Sequence, residues 1–244
     1  DQREYSDSNN ACGPASILNC LKFSRPELRS VYDGLLGSND GVKMRFIVDR
    51  YLRSRKSIVY PNQMRWGVHG VATADMVTAI NELLEDENLL ALNGAYLDRR
   101  EEEPSREFAR RIHGMVKKSL DRGVSPILSL RAFYVRAQDG DSGNLAWETG
   151  PHHNVVITEV GEFLNDTGFV VTALDPWKGR RITVFFYREG AQAFRALKGV
   201  EPSGTRLDGR TFLVVAAPEA ESMVPRHLEW HERFLVVAKF LEGG

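Results

Sequence analysis

Cys12 is the residue of this sequence best placed to act as a nucleophile. It stands between Ser8-Asn9-Asn10-Ala11 and a segment with helical patterning that opens Gly13-Pro14-Ala15-Ser16. At a helix N-terminus the macrodipole and the unpaired N–H groups favour an anion, so a thiolate there is stabilised. The same N–H groups can donate to an oxyanion forming on an attacked carbonyl. Gly13 would admit a substrate closely, and Pro14 falls in the first turn, where a missing donor costs nothing. The competing reading is a small buried hydrophobe, which is what most reduced cysteines are. Cys20, the second of the two cysteines, lies on the same helical stripe. Eight residues of helix separate the pair by about 12 Å, too far for a disulfide, and Cys20 reads as packing.

A nucleophilic thiol needs a base. His153 opens the run Asn154-Val155-Val156-Ile157-Thr158, which places it at the start of a strand. With period two, His153, Val155 and Ile157 share one face, and His152, Asn154 and Val156 share the other. A ring at a strand end is held rigidly, as general-base work demands. The doublet leaves open whether His152 or His153 acts. Further on, Leu174-Asp175-Pro176-Trp177-Lys178-Gly179 turns between two strand patterns. A carboxylate there could accept the imidazole N–H and fix its tautomer. Asp-Pro with a following Gly is also good turn chemistry in its own right.

The elements that must hold these residues fall into two kinds. Apolar spacing predicts helices over about 13–24, 26–36, 43–54, 73–85 and 105–121. Strand patterns follow at 126–135, 153–160, 168–174, 181–187 and 211–217, with a last helix across about 219–240. Helices first and strands afterwards argue for an α+β layout, not an alternating parallel sheet.

Composition is that of an ordinary globular protein. The 244 residues carry 32 Lys+Arg against 33 Asp+Glu, a net charge of −1, with 42% hydrophobic residues. That balance lacks the basic footprint needed for nucleic acid or an anionic membrane surface. No apolar run approaches a transmembrane length, so the expectation is a soluble chain with no transmembrane segment. Two cysteines make no disulfide framework. Position 1 is Asp, not Met, which fits a processed chain, with a removed signal peptide or a trimmed end equally compatible. Compartment and oligomeric state are left open.

Cys12-Gly13-Pro14-Ala15-Ser16, then His153-Asn-Val-Val-Ile, then Asp175-Pro176-x-x-Gly179, in that order, resembles the papain-fold cysteine peptidases. The branch it most resembles is that of the bacteriocin double-glycine leader peptidases. The resemblance rests on short motifs within about residues 1–187. It implies a papain-like α+β fold spanning 1–244 as one domain, with a helical lobe at about 1–122 and an antiparallel sheet lobe at about 123–244. It implies a catalytic Cys12, with His153 as base and Asp175 orienting it. It also implies a Gln upstream of the Cys in the oxyanion hole. Gln2 is the only Gln before Cys12, and Asn9 or Asn10 could take that role instead. The implied activity is hydrolysis of peptide or amide bonds in a peptide or protein substrate through a thioester acyl-enzyme. No metal or cofactor is called for. The long interval between Cys12 and His153 makes the region about 37–105 an embellishment near the cleft. Two rival readings keep the fold: an acyl or peptidyl transferase using the same triad, and a non-enzymatic papain-fold binding module.

Other signals weigh less. Gly140-Asp141-Ser142-Gly143 resembles a serine-peptidase nucleophile motif, but the chain lacks the double-barrel strand pattern that motif belongs to. His227-Leu-Glu-Trp-His231 has zinc-helix spacing without the His-Glu-x-x-His order, and reads as a surface helix. His69 reads as ordinary loop chemistry, His113 as a solvated helix position, and Glu101–Glu103 as a solvated charge run.

Overall fold

A computed structural model describes residues 1, 3, 10–67, 70–136, 148–193, 210–220, 223 and 231–243. The chain begins with helices α1 (Cys12–Phe23), α2 (Pro26–Gly34) and α3 (Asp40–Ile47), the last running into a π-helical turn at Val48–Arg53. A short hairpin follows, β1 (Trp66–Gly67) and β2 (Gly70–Val71), and then α4 (Thr73–Asp86). Strand β3 (Asn93–Tyr96) and helix α5 (Ser105–Asp121) lead into β4 (Ile127–Arg136), β5 (Glu148–Val160), β6 (Gly168–Asp175), β7 (Arg180–Ala193), β8 (Thr211–Ala216) and β9 (His231–Gly243). The architecture is mixed helix and sheet. Among the described residues, no helix is long and apolar enough to cross a membrane.

The sheet is antiparallel, in the order β3-β9-β4-β5-β6-β7-β8, and β8 returns to pair with β9. One edge of β9 is covered by β4 along most of its length, while β8 and β3 share its other edge. The sheet is therefore curled on itself, so that β8 has a neighbour on each side and β3 remains the edge strand.

Two apolar clusters flank this sheet. The first joins α1 to α4, with Ile17, Leu18, Leu21, Met44, Met76, Ile80 and Leu83 buried against Ile127 and Val156. The second packs Phe108, Ile112 and Val116 of α5 on the alternate residues of the strands, Leu128, Leu130, Val155, Ile157, Phe169, Val171, Val184 and Phe186. Alternation along β4 and β5 thus separates a helix-facing side at Ile127 and Val156 from an α5-facing side. By packing, α5 belongs with the sheet and not with the helices before it.

The sequence and the structure part in several places. Residues 231–243 form a strand, not the end of a helix over 219–240. The run Phe234-Leu-Val-Val-Ala238 is what a strand paired on both edges favours, and Ala238 is fully buried. His231 accordingly lies in a strand, and His227 lies outside the described residues, as do His69 and the Gly140–Gly143 motif. His113 is not simply solvated: its Nε2 is 2.9 Å from the Gly161 carbonyl, and its ring meets Phe169 edge-on. Glu103 leaves the charge run to take both Arg111 Nε and Nη2, at 2.7 and 2.8 Å.

Candidate active site

Helix α1 starts at Cys12 with Ala11 as its cap, a residue with no side chain able to cap. Pro14 has no N–H to satisfy, so the first turn leaves its early backbone donors at the Cys12 end. Behind them Ala15, Ile17, Leu18 and Leu21 bury the helix in the first cluster. The buried Ser16 hydroxyl docks α1 on β5, donating to the Asn154 carbonyl at 3.1 Å. Gly13 is required by packing. A Cβ there would stand 2.4 Å from Val71 Cγ1 of β2, so the glycine admits the hairpin close to the helix start. The neighbour that needs this glycine is thus the hairpin and not a substrate.

His153 lies within β5, opposite Leu130 of β4, and not at the strand's start as its spacing had suggested. It is 3% exposed. Its Nε2 donates to Asp175 Oδ1 at 2.7 Å. The ring and the Cys12 side chain also act on each other, each shifting the other's proton affinity. Of the two histidines, His153 is the one joined to both Cys12 and Asp175.

Asp175 ends β6 fully buried. Its Oδ1 also accepts from the Trp177 backbone N–H at 2.8 Å, closing an Asx turn over Pro176. Oδ2 is buried with no hydrogen-bond partner among the described residues. Gly179, with φ +62°, completes the turn.

The electrostatics follow from these contacts. Burial pushes the Cys12 thiol up, but the His153 hydrogen bond and charge, with N–H groups of the Asn154 backbone and side chain, outweigh it and leave the thiol below its ordinary value. Burial pulls His153 down, yet hydrogen bonds to Asp175 and Cys12 and the charges of both raise it to about 9. Burial raises Asp175, and the His153 hydrogen bond and charge, the Trp177 N–H and the Arg180 charge bring it below the carboxylate range. The three groups thus favour a thiolate beside an imidazolium over a neutral pair.

Asn154 is the neighbour that sequence reasoning missed. Period two had set it on the face opposite His153 and given it no role. It is 1% exposed, and its Nδ2 donates to Cys12 Sγ at 3.7 Å while its Oδ1 accepts from the buried Ser129 hydroxyl at 2.6 Å. A polar residue in a Val-Val-Ile strand was the available signal.

Gln2 and Asn9 lie outside the described residues. Asn10 lies against the hairpin, its carbonyl 3.0 Å from where a Cβ on Gly70 would stand. Among the described residues, no group of three or more His, Cys, Asp and Glu side chains is gathered as a metal site would require. No known family, no curated protein and no solved structure matches the chain.

Proposed function

We propose that this protein is a papain-like cysteine peptidase that hydrolyses peptide or amide bonds through Cys12, His153 and Asp175. One observation carries the reading: a buried histidine hydrogen-bonded to a fully buried carboxylate and electrostatically coupled to a cysteine at a helix start. The helices on one side of a curled antiparallel sheet, with the cysteine on the first helix, are compatible with the papain-like layout that the motifs resemble.

The chemistry follows from the charges. The Cys12 thiolate attacks the carbonyl carbon, a C–S bond forms, and the oxygen takes the negative charge. The Cys12 backbone N–H, and Gln2 by the resemblance, would stabilise that oxyanion. Collapse breaks the C–N bond as the His153 imidazolium gives its proton to the leaving amine. Water, deprotonated by His153, then attacks the thioester, releases the acid and restores the ion pair.

The test is digestion of a proteome-derived peptide library, with products identified by mass spectrometry. Cleavage by the wild type that disappears in Cys12→Ala and in His153→Gln is the expected result. Identical products from the wild type and Cys12→Ala, together with iodoacetamide labelling of Cys12 no faster than a small-molecule thiol at pH 6.5, would overturn the reading.

A further inference from the structure

We propose that Asn154 is a catalytic residue in its own right, its side-chain amide donating to the Cys12 sulfur and steadying the thiolate, with Ser129 holding the amide in the donating orientation. The inference rests on Cys12 being the nucleophile.

The position is one where an apolar residue is the default. Asn154 sits in the middle of a sheet, 1% exposed, between His153 and two valines, on the side of β5 that meets α1. A carboxamide there costs several hydrogen bonds to water unless each of its ends is satisfied. Both ends are. Oδ1 takes the Ser129 hydroxyl at 2.6 Å, and Nδ2 reaches Cys12 Sγ at 3.7 Å. The backbone of the same residue is tied to α1, its carbonyl accepting from Ser16 Oγ at 3.1 Å.

Ser129 anchors the far end of the amide, and the sulfur favours the NH2 end. The Ser129 hydroxyl donates to Oδ1 and the NH2 group is turned toward Cys12; the flipped amide would set a carbonyl oxygen against an anion. A purely structural asparagine would need only Ser129 and the backbone contact. The remaining donor is aimed at the reacting atom, and a thiolate accepts from it far better than a thiol does. The other groups around the sulfur do not duplicate it. The charged group facing Cys12 from β5 is His153, with Asp175 of β6 behind it and Arg180 of β7 acting on Asp175. β2 and α4 present Val71 and Met76 beside Gly13. Asn154 thus contributes an uncharged donor that persists whatever the protonation of His153.

The experiment measures the rate of Cys12 alkylation by iodoacetamide between pH 4.5 and 10 in the full chain, with the site read by mass spectrometry. Asn154→Leu should slow alkylation at pH 6 by about tenfold and leave the alkaline plateau in place, since the lost donor acts only on ionisation. Asn154→Asp, which sets a carboxylate beside the sulfur, should move the profile further to alkaline pH. Ser129→Ala keeps the amide but frees it to turn, and should give a smaller shift of the same sign. Near-UV circular dichroism establishes that each variant is folded. Folded Asn154 variants with the wild-type profile would overturn the proposal; if they do not fold, an unchanged profile in Ser129→Ala overturns it. A wild-type Cys12 that itself titrates as an ordinary thiol would instead remove the nucleophile reading on which the proposal stands.

Discussion

Asp175 holds His153 with the same oxygen that closes its own turn: Oδ1 accepts from His153 Nε2 at 2.7 Å and from Trp177 N at 2.8 Å. Turn chemistry and ring orientation are therefore one arrangement at this residue. The Trp177 N–H fixes the rotation of the carboxylate, and the carboxylate fixes the rotation of the ring. Pro176 stiffens the link between them.

Asp175→Asn separates charge from geometry. The variant can keep an acceptor for Trp177 but loses the anion that holds the imidazolium. Its His153 should titrate below the wild type's value of about 9. Peptide cleavage should fall roughly 10²–10⁴-fold, the usual range for general acid–base catalysis. The check is kcat/KM on a peptide that the wild type cleaves, beside Cys12 alkylation at pH 6, which should slow as well.

The pH profile follows from the same pair. On the proposed mechanism, activity requires Cys12 ionised and His153 protonated. The acid limb should rise as the thiol loses its proton, below the ordinary thiol range, because that group is lowered. The alkaline limb should fall as His153 loses its proton, at about 9, because that group is raised. A bell between those limits in kcat/KM is the expected result; a profile rising monotonically past pH 9 would contradict the ion pair.

Gly13→Ala should destabilise the protein. The added methyl would meet Val71 Cγ1 at 2.4 Å, and a branched, stiff valine on β2 has little room to yield. Overpacking of this kind costs about 1–3 kcal/mol, against a gain of about 1 kcal/mol from replacing a helical glycine. Urea denaturation should show a net loss for Gly13→Ala and recovery when Val71→Ala is added. Additive losses in the double variant would count against the contact.

Labelling counts offer a simpler check on the two cysteines. Cys12 is half-buried and Cys20 fully buried within the first cluster. Iodoacetamide should modify one thiol per folded chain at neutral pH and two in 6 M guanidinium. Cys20→Ala, within the packing range for a small side chain, should leave peptide cleavage intact.

Much of this was legible in residue types and spacing, though unevenly. The stripe Ala15, Ile17, Leu18 and Leu21 with Pro14 in the first turn marks α1, and the alternation Leu128, Leu130, Ala132 marks β4. These are local patterns, and local patterns are what a sequence displays. The strand β9 was not legible as such, since His231 and the residues after it also suit a helix and only pairing with β4 and β8 decides between them. Asn154 was hidden for a different reason. Its role depends on where α1 crosses β5, a distance between segments far apart in the chain that no periodicity encodes. The smallness of Gly13 is plain in the sequence, but the partner that needs the space, Val71, belongs to a hairpin of only two residues per strand.

The way β9 seals the sheet also sets an order of events in folding. β5 carries His153 beside β4, and β4 gains its other neighbour only when β9, the farthest described strand along the chain, inserts between β4 and β8. Until then both of those strands have open edges, and long-range pairing of this kind is slow because its loop-closure entropy comes first. The helical part of the cluster around Cys12 comes from earlier residues and can assemble sooner, with Val156 of β5 completing it. A partly folded chain would therefore carry its thiol in place before the histidine is held rigidly against it. Rapid alkylation at low pH would then report completion of the whole sheet, and a refolding time course followed that way should lag behind the recovery of helical circular dichroism.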